Sequence, residues 1–217
     1  MGGFPVGSLT LIYGEAETGK TTLVMQCAAN CGKKGLKTIF VDSESTFSDR
    51  RLSQIAGDDF EKISENIILI RPNGFREQGT VVDQLTGYLN TSFKLVVFDT
   101  ITSLYRLQIA NTPSKAFALN RELNRQLAVL AQTAKVQKIA VLLTSEVHAV
   151  FDEFSSTVEP VGTRVLKFWG DVVLALKPSE DSKTITATIE KASSVPSART
   201  FDLRIEQKGI HDCSVHR

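Results

Sequence analysis

Residues 14–21, GEAETGKT, constrain this chain more than any other stretch. They follow an apolar run, SLTLIY (8–13), and lead into KTTLVMQCAANCGKKG (20–35), which has helical character with glycines near its end. A G-x-x-x-x-G-K-T pattern between a strand and a helix is a phosphate cradle. Its amides point at the anion, and the helix N-terminus adds partial positive charge. Lys20 reaches the β- and γ-phosphates of a nucleotide, and the Thr21 hydroxyl binds Mg²⁺. Gly14 and Gly19 permit a backbone path that side chains would obstruct. The nucleotide-binding set is therefore Gly14, Glu15, Ala16, Glu17, Thr18, Gly19, Lys20, Thr21 and Thr22. Glu15 and Glu17 look out of place beside a polyanion. Because the grip is made by amides, both carboxylates are expected to point into solvent, where screening makes them cheap.

Beyond the loop, strand and helix patterns alternate. Strands are predicted at 37–44, 66–70, 94–100 and 138–146. Helices are predicted at 48–56, with Ser48 as N-cap, at 77–90 and at 115–136, where Leu119, Leu123, Leu127 and Leu130 mark one face. Residues 106–114 show no apolar period, and 148–164 reads as a polar loop containing Pro160 and Gly162. The tail segments 171–177, 184–190 and 200–206 read as antiparallel strands. The fold class is thus α/β: a mainly parallel central sheet flanked by helices, with an antiparallel C-terminal edge. No linker or repeat divides it, so 1–217 is expected to be one domain.

Composition removes several alternatives. No apolar run approaches the ~20 residues that span a bilayer, and the N-terminus lacks a signal-peptide pattern, so no membrane association is expected. A net charge of +1 gives no overall drive toward nucleic acid, so DNA binding needs a local patch. Cys27, Cys31 and Cys213 have no CxxC spacing and suggest reduced thiols in a cytoplasmic protein.

Two acidic positions complete the chemistry. Asp99 ends the apolar run LVVF about eighty residues after Lys20, as a magnesium-side carboxylate does. Hydrolysis also needs a carboxylate to orient water. Glu44, just past the strand TIFVDS, is the candidate catalytic base beside Lys20, and Asp42 is its rival.

With these residues in place, the chain resembles the RecA/RadA recombinase family, in particular its short archaeal paralogues of the RadB type. The segments carrying the likeness are GSLTLIYGEAETGKTTL, FVDSESTFSDRRLSQIA, IILIRPNGFREQ, LVVFDTITSLYR, LNRQLAVLAQ, IAVLLTSEVH and FDLRIEQKGIHD. The resemblance implies a RecA-like P-loop NTPase core that binds ATP and Mg²⁺. It places Glu44 at the water-activating glutamate and Asp99 at the magnesium-side aspartate. Arg51 falls where an arginine stacks on adenine, with Gln54 beside it, and Ser145 and Glu146 fall at the γ-phosphate sensor. It also implies two DNA loops, about 106–116 and 148–164. Arg106, Arg164 and Lys167 are then candidate DNA phosphate contacts, and Phe151, Phe154, Phe168 and Trp169 candidate stacking residues. Lys191 and Arg199 are candidates to reach a neighbour's nucleotide. His211 and His216 read as exposed.

Departures from the family pattern shape the expected function. Glu146 replaces an amide and, ionised, has no hydrogen bond to donate. Gly162 is followed by Thr163 rather than a second glycine, Glu44 is followed by Ser45, and Phe168 stands at a family histidine. No N-terminal helix-hairpin-helix domain or Phe-x-x-Ala linker is recognisable. The resemblance therefore implies an accessory protein of DNA repair and homologous recombination: a weak ATPase stimulated by single-stranded DNA. Its partners would be the main recombinase RadA or a further paralogue, and a Holliday junction resolvase. The competing expectations are a nucleotide-switched interaction module with negligible hydrolysis, and another RecA-type ATPase of helicase-core or clock type.

Overall fold

The first strand, β1 (Leu9–Gly14), has no exposed residue, which requires cover on both of its faces. Its side chains divide accordingly: Leu9, Leu11 and Tyr13 enter one core cluster and Ile12 the other. The computed structural model describes residues 3–152, 155–160, 163–179, 181, 183–192 and 199–213, by backbone alone at 148–152, 155–160 and 163.

Helices α1 (Lys20–Lys33), α2 (Asp49–Ala56) and α3 (Phe60–Ser64) cover the Ile12 face. Helices α4 (Phe75–Tyr88), α5 (Ser103–Asn111), α6 (Ala116–Gln137) and α7 (Thr163–Trp169) contribute to the other. The strands between them are β2 (Lys37–Asp42), β3 (Ile67–Ile70), β4 (Phe93–Asp99) and β5 (Ala140–Ser145). They are followed by β6 (Val147–Asp152), β7 (Ser155–Pro160), β8 (Val172–Pro178), β9 (Thr184–Lys191), β10 (Arg199–Glu206) and β11 (Gly209–Asp212). The main sheet runs β11-β10-β9-β8-β1-β5-β4-β2-β3. It is parallel from β8 to β3 and antiparallel from β8 outward to β11. The parallel strands β1, β2, β4 and β5 therefore deliver Gly14, Asp42, Asp99 and Ser145 to one edge of the sheet, where ligands of open α/β sheets bind.

Local sequence explains most of these elements. Ser48 accepts a hydrogen bond from the Arg51 amide at 3.2 Å and caps α2. Leu123, Leu127 and Leu130 of α6 are buried, with Leu119 partly so. Gln26 of α1 holds β11 by both backbone groups of Ile210, accepting from its N–H at 2.7 Å and donating to its carbonyl at 3.1 Å.

Four segments differ from the sequence reading. Residues 106–114 are not a loop: α5 runs to Asn111, and a short 3-10 turn (Pro113–Lys115) joins it to α6. The pattern is obscure because Leu104 and Tyr105 are buried while Leu107 is exposed, so the apolar residues do not form one stripe. The polar segment 148–164 contains the antiparallel pair β6 and β7 and the start of α7. A two-stranded ribbon pairs through its backbone and leaves little hydrophobic signature. The short α3 and β11 fall below the length at which periodicity is legible.

Packing makes a direct prediction. Leu127 is 0% exposed and Phe117 is 76% exposed. Leu127→Ala lowers stability by about 2–5 kcal/mol, whereas Phe117→Ala stays within about 0.5 kcal/mol of the parent. Urea unfolding midpoints at unchanged slope measure both.

Candidate nucleotide site

The phosphate loop closes on itself. A Cβ at Gly14 would lie 2.3 Å from the Leu176 carbonyl oxygen of β8, so only glycine fits between β1 and its neighbour. Gly19 has φ +80, and Glu17 also takes a left-handed conformation, with φ 64. Thr18 is buried, and its hydroxyl donates to the Glu15 carbonyl at 2.8 Å. Glu15, Ala16 and Glu17 are exposed, so the two carboxylates face solvent.

Lys20 is buried at the first turn of α1 and donates to the carbonyls of Gly14 at 2.9 Å and Glu15 at 2.6 Å. Burial pulls its pKa below the usual lysine value, while Asp99, Glu146, Glu44 and Glu15 oppose that shift.

Asp99 is 1% exposed. Burial raises its pKa; Thr144, whose hydroxyl donates to Oδ1, works against that rise, and Thr21 adds a weaker pull in the same direction. Its Oδ2 has no hydrogen-bond partner among the described residues. An orphaned buried carboxylate oxygen near a threonine hydroxyl suits Mg²⁺ carried in on phosphates, which needs few protein ligands. Among the described residues no group of three His, Cys, Asp or Glu could hold a metal alone.

The two candidate bases separate clearly. Asp42 is buried and accepts from the amides of Thr46 at 3.0 Å and Phe47 at 3.1 Å and from Arg71 Nε at 3.0 Å. It anchors the loop that carries Glu44 and has no freedom to act on water. The Glu44 side chain reaches Thr100, whose hydroxyl donates to Oε1 at 2.9 Å. Burial raises the Glu44 pKa, Thr100 lowers it, and the neighbouring Glu146 and Asp99 raise it further. Ser45, at φ 57, takes the left-handed turn that a glycine would adopt without cost.

A cleft of about 670 Å³ opens beside α1, lined by Thr22, Arg51, Lys183, Arg204, Ile205, Glu206 and Gln207. Arg51 donates to Gln54 Oε1 at 3.1 Å, to the Gln207 carbonyl at 2.9 Å and to the Glu206 carbonyl at 2.8 Å. These contacts fix its guanidinium plane at the cleft. Sequence reasoning finds Arg51 and Gln54 but not the opposite wall, Lys183 and 204–207, because that wall comes from distant strands and no local motif announces it.

Several candidates sit differently from the sequence expectation. Arg106 lies on α5 and forms a half-exposed ion pair with Glu146, so the Glu146 charge is not unopposed. Ser145 is buried; its hydroxyl lies 3.1 Å from that of Thr102 and donates to the Glu146 carbonyl at 3.0 Å. Lys167 is paired with Glu190 at 2.9 Å and stands 5.1 Å from the Tyr13 ring centroid, and the Tyr13 hydroxyl donates to Glu190 at 2.5 Å. Lys191 donates to the carbonyls of Lys167 at 3.2 Å and Phe168 at 3.5 Å, at the end of α7, rather than standing free for a neighbour. Trp169 donates to Asn124 at 2.7 Å, with Phe168 exposed against it. Arg164, Arg199 and His211 are exposed. The side chains of Phe151, Phe154 and Thr163, with Gly162 and His216, lie outside the described residues. Cys27 and Cys31 are half-buried free thiols, and burial pushes Cys27 up to about 12.

Comparison with known proteins agrees with this geometry. The Rad51 family profile matches residues 1–213. The DNA repair and recombination protein RadB of Methanosphaera stadtmanae is 31% identical over 211 residues, covering 96% of this chain and 89% of the relative. RadB of Thermococcus gammatolerans is 36% identical over 216 residues, covering 98% and 93%. The crystal structure of the RadB recombinase superposes with a TM-score of 0.82 at 32% identity, covering 98% of this chain and 94% of that one. Fold, phosphate loop and relatives agree that the chain belongs to the Rad51 family, among the RadB-type DNA repair and recombination proteins.

Proposed function

We propose that this protein binds ATP with Mg²⁺, hydrolyses it slowly, and acts beside the main recombinase in DNA repair. The observation that carries the proposal is that the parallel strands end side by side, with Lys20 on the Gly14 carbonyl at the end of β1, Asp99 at the end of β4, and the Glu44 segment bonded to Asp99 and Thr100. Lys20 is positioned to exchange its bonds to the loop carbonyls for phosphate oxygens. Arg51 offers a fixed planar cation to the adenine ring, and Thr21 and Asp99 would hold Mg²⁺, which would supply neutralising charge to the phosphates. Glu44, oriented by Thr100, accepts a proton from the attacking water. The test is phosphate release with Mg-ATP, with and without single-stranded DNA. A slow release that DNA accelerates supports the proposal.

A second reading is a nucleotide-switched interaction module with negligible turnover. Glu146 favours it, because the sensor position offers no amide donor. ATP binding without release above background would select it. Absence of ATP and ADP binding to folded protein would defeat both.

Glu44→Gln lowers hydrolysis by about a hundred- to ten-thousandfold, to a residual rate measurable in single-turnover assays, while ATP binding persists. Because the Glu44 pKa is raised, wild-type turnover falls with decreasing pH through a midpoint above the ordinary carboxylate range, and a pH–rate profile measures it. The Arg106–Glu146 pair gives opposite single effects. Arg106→Ala exposes the Glu146 charge to ATP and weakens binding about two- to fivefold, as for a half-exposed ion pair. Glu146→Gln strengthens binding, and the double variant returns near wild type by titration calorimetry. Arg164→Ala weakens single-stranded DNA binding and flattens the salt dependence by about one unit of slope in a fluorescence anisotropy titration.

A further inference from the structure

Two glutamines lie where a core would ordinarily be apolar. Gln78 of α4 and Gln126 of α6 are both 0% exposed. Burying such amides is costly unless their hydrogen bonds are made, and here they are. Gln78 Nε2 donates to Gln126 Oε1 at 2.9 Å and to the Ile101 carbonyl at 3.2 Å, and Gln126 donates to Glu122 at 3.0 Å. Gln78 Oε1 accepts from the Ser43 hydroxyl at 3.4 Å. Position 79 is glycine, and a Cβ there would meet Glu122 at 3.0 Å and Gln126 at 3.1 Å, so the backbone itself makes room for this network.

Its placement is informative. Ser43 precedes Glu44, and Ile101 follows Thr100, the residue that orients Glu44. One amide therefore touches both segments that bring the candidate base to its partner. We propose that Gln78 is a positioning residue for hydrolysis, setting the spacing between the Glu44 and Thr100 segments from beneath. This rests on the assignment of Glu44 as the base. Gln78 does not touch the nucleotide loop, so it acts on turnover rather than on ATP affinity.

Gln78→Met keeps the side-chain length and removes the hydrogen bonds. The expected result is a fall in kcat of about ten- to a hundredfold, the loss typical of a displaced catalytic group, with KM and ATP affinity within about threefold. In a Glu44→Gln background the same substitution slows the enzyme no further, because the group it positions is gone. A merely structural role would multiply the two losses, and that outcome, or an unchanged kcat, overturns the proposal. Ser43→Ala, which leaves the core untouched, gives a smaller fall with the same non-additivity and serves if Gln78→Met does not fold. Hydrogen exchange without nucleotide gives an independent reading: protection falls together at 43–47 and 100–105, and unchanged protection at both sinks the proposal. If wild-type turnover equals that of Glu44→Gln, the assignment of the base fails, and hydrogen exchange still decides the role of Gln78.

Discussion

The ammonium of Lys20, drawn out of water and held by two loop carbonyls, is the interaction on which the rest of the site depends. Burial disfavours its charge, and the carboxylates gathered around it compensate. The arrangement is poised rather than settled: a cation with weakened hydration sits at a helix N-terminus, facing a space bordered by Asp99 and Glu44. An incoming polyphosphate satisfies the cation better than neutral carbonyls do. The parallel sheet makes this possible, because strands distant in sequence end side by side and their terminal residues share one small volume.

The same edge explains how one loop carboxylate is left at the surface while its neighbour is not. Asp42 and Glu44 are two residues apart, yet Asp42 points into the protein and ties down the amides of Thr46 and Phe47. That anchoring gives the loop a defined shape and leaves Glu44 on its rim. Two of the three basic candidates in or near the regions that the recombinase resemblance marks as DNA loops are ion-paired within the protein. Arg106 answers Glu146, and Lys167 answers Glu190 and the Tyr13 ring.

Much of this was legible in the sequence, for physical reasons. The phosphate loop is local: its glycines, lysine and threonine must be contiguous, so a motif reveals it. Long strands and α6 announce themselves by apolar period. Asp99 is visible because it ends a buried run. The hidden features are those made by pairing across the chain. Nothing near Arg106 indicates that Glu146, forty residues on, will neutralise it. Nothing near Gln78 indicates that it will be buried against Gln126; on an amphipathic helix a glutamine reads as a surface residue. The wall at 204–207 is likewise invisible until the antiparallel strands fold back beside α1. The β6–β7 ribbon is not legible because backbone pairing leaves no hydrophobic trace.

The hook between Gln26 and Ile210 carries a mechanical consequence. α1 begins with Lys20 at the phosphate loop, and about one and two-thirds turns further on Gln26 clasps the final strand by both backbone groups of Ile210. The turn before that strand supplies the carbonyls that steady Arg51. The phosphate loop and the Arg51 side of the cleft are thus tied together through one helix and one edge strand, so the two walls of the cleft share a single frame although they come from opposite ends of the chain.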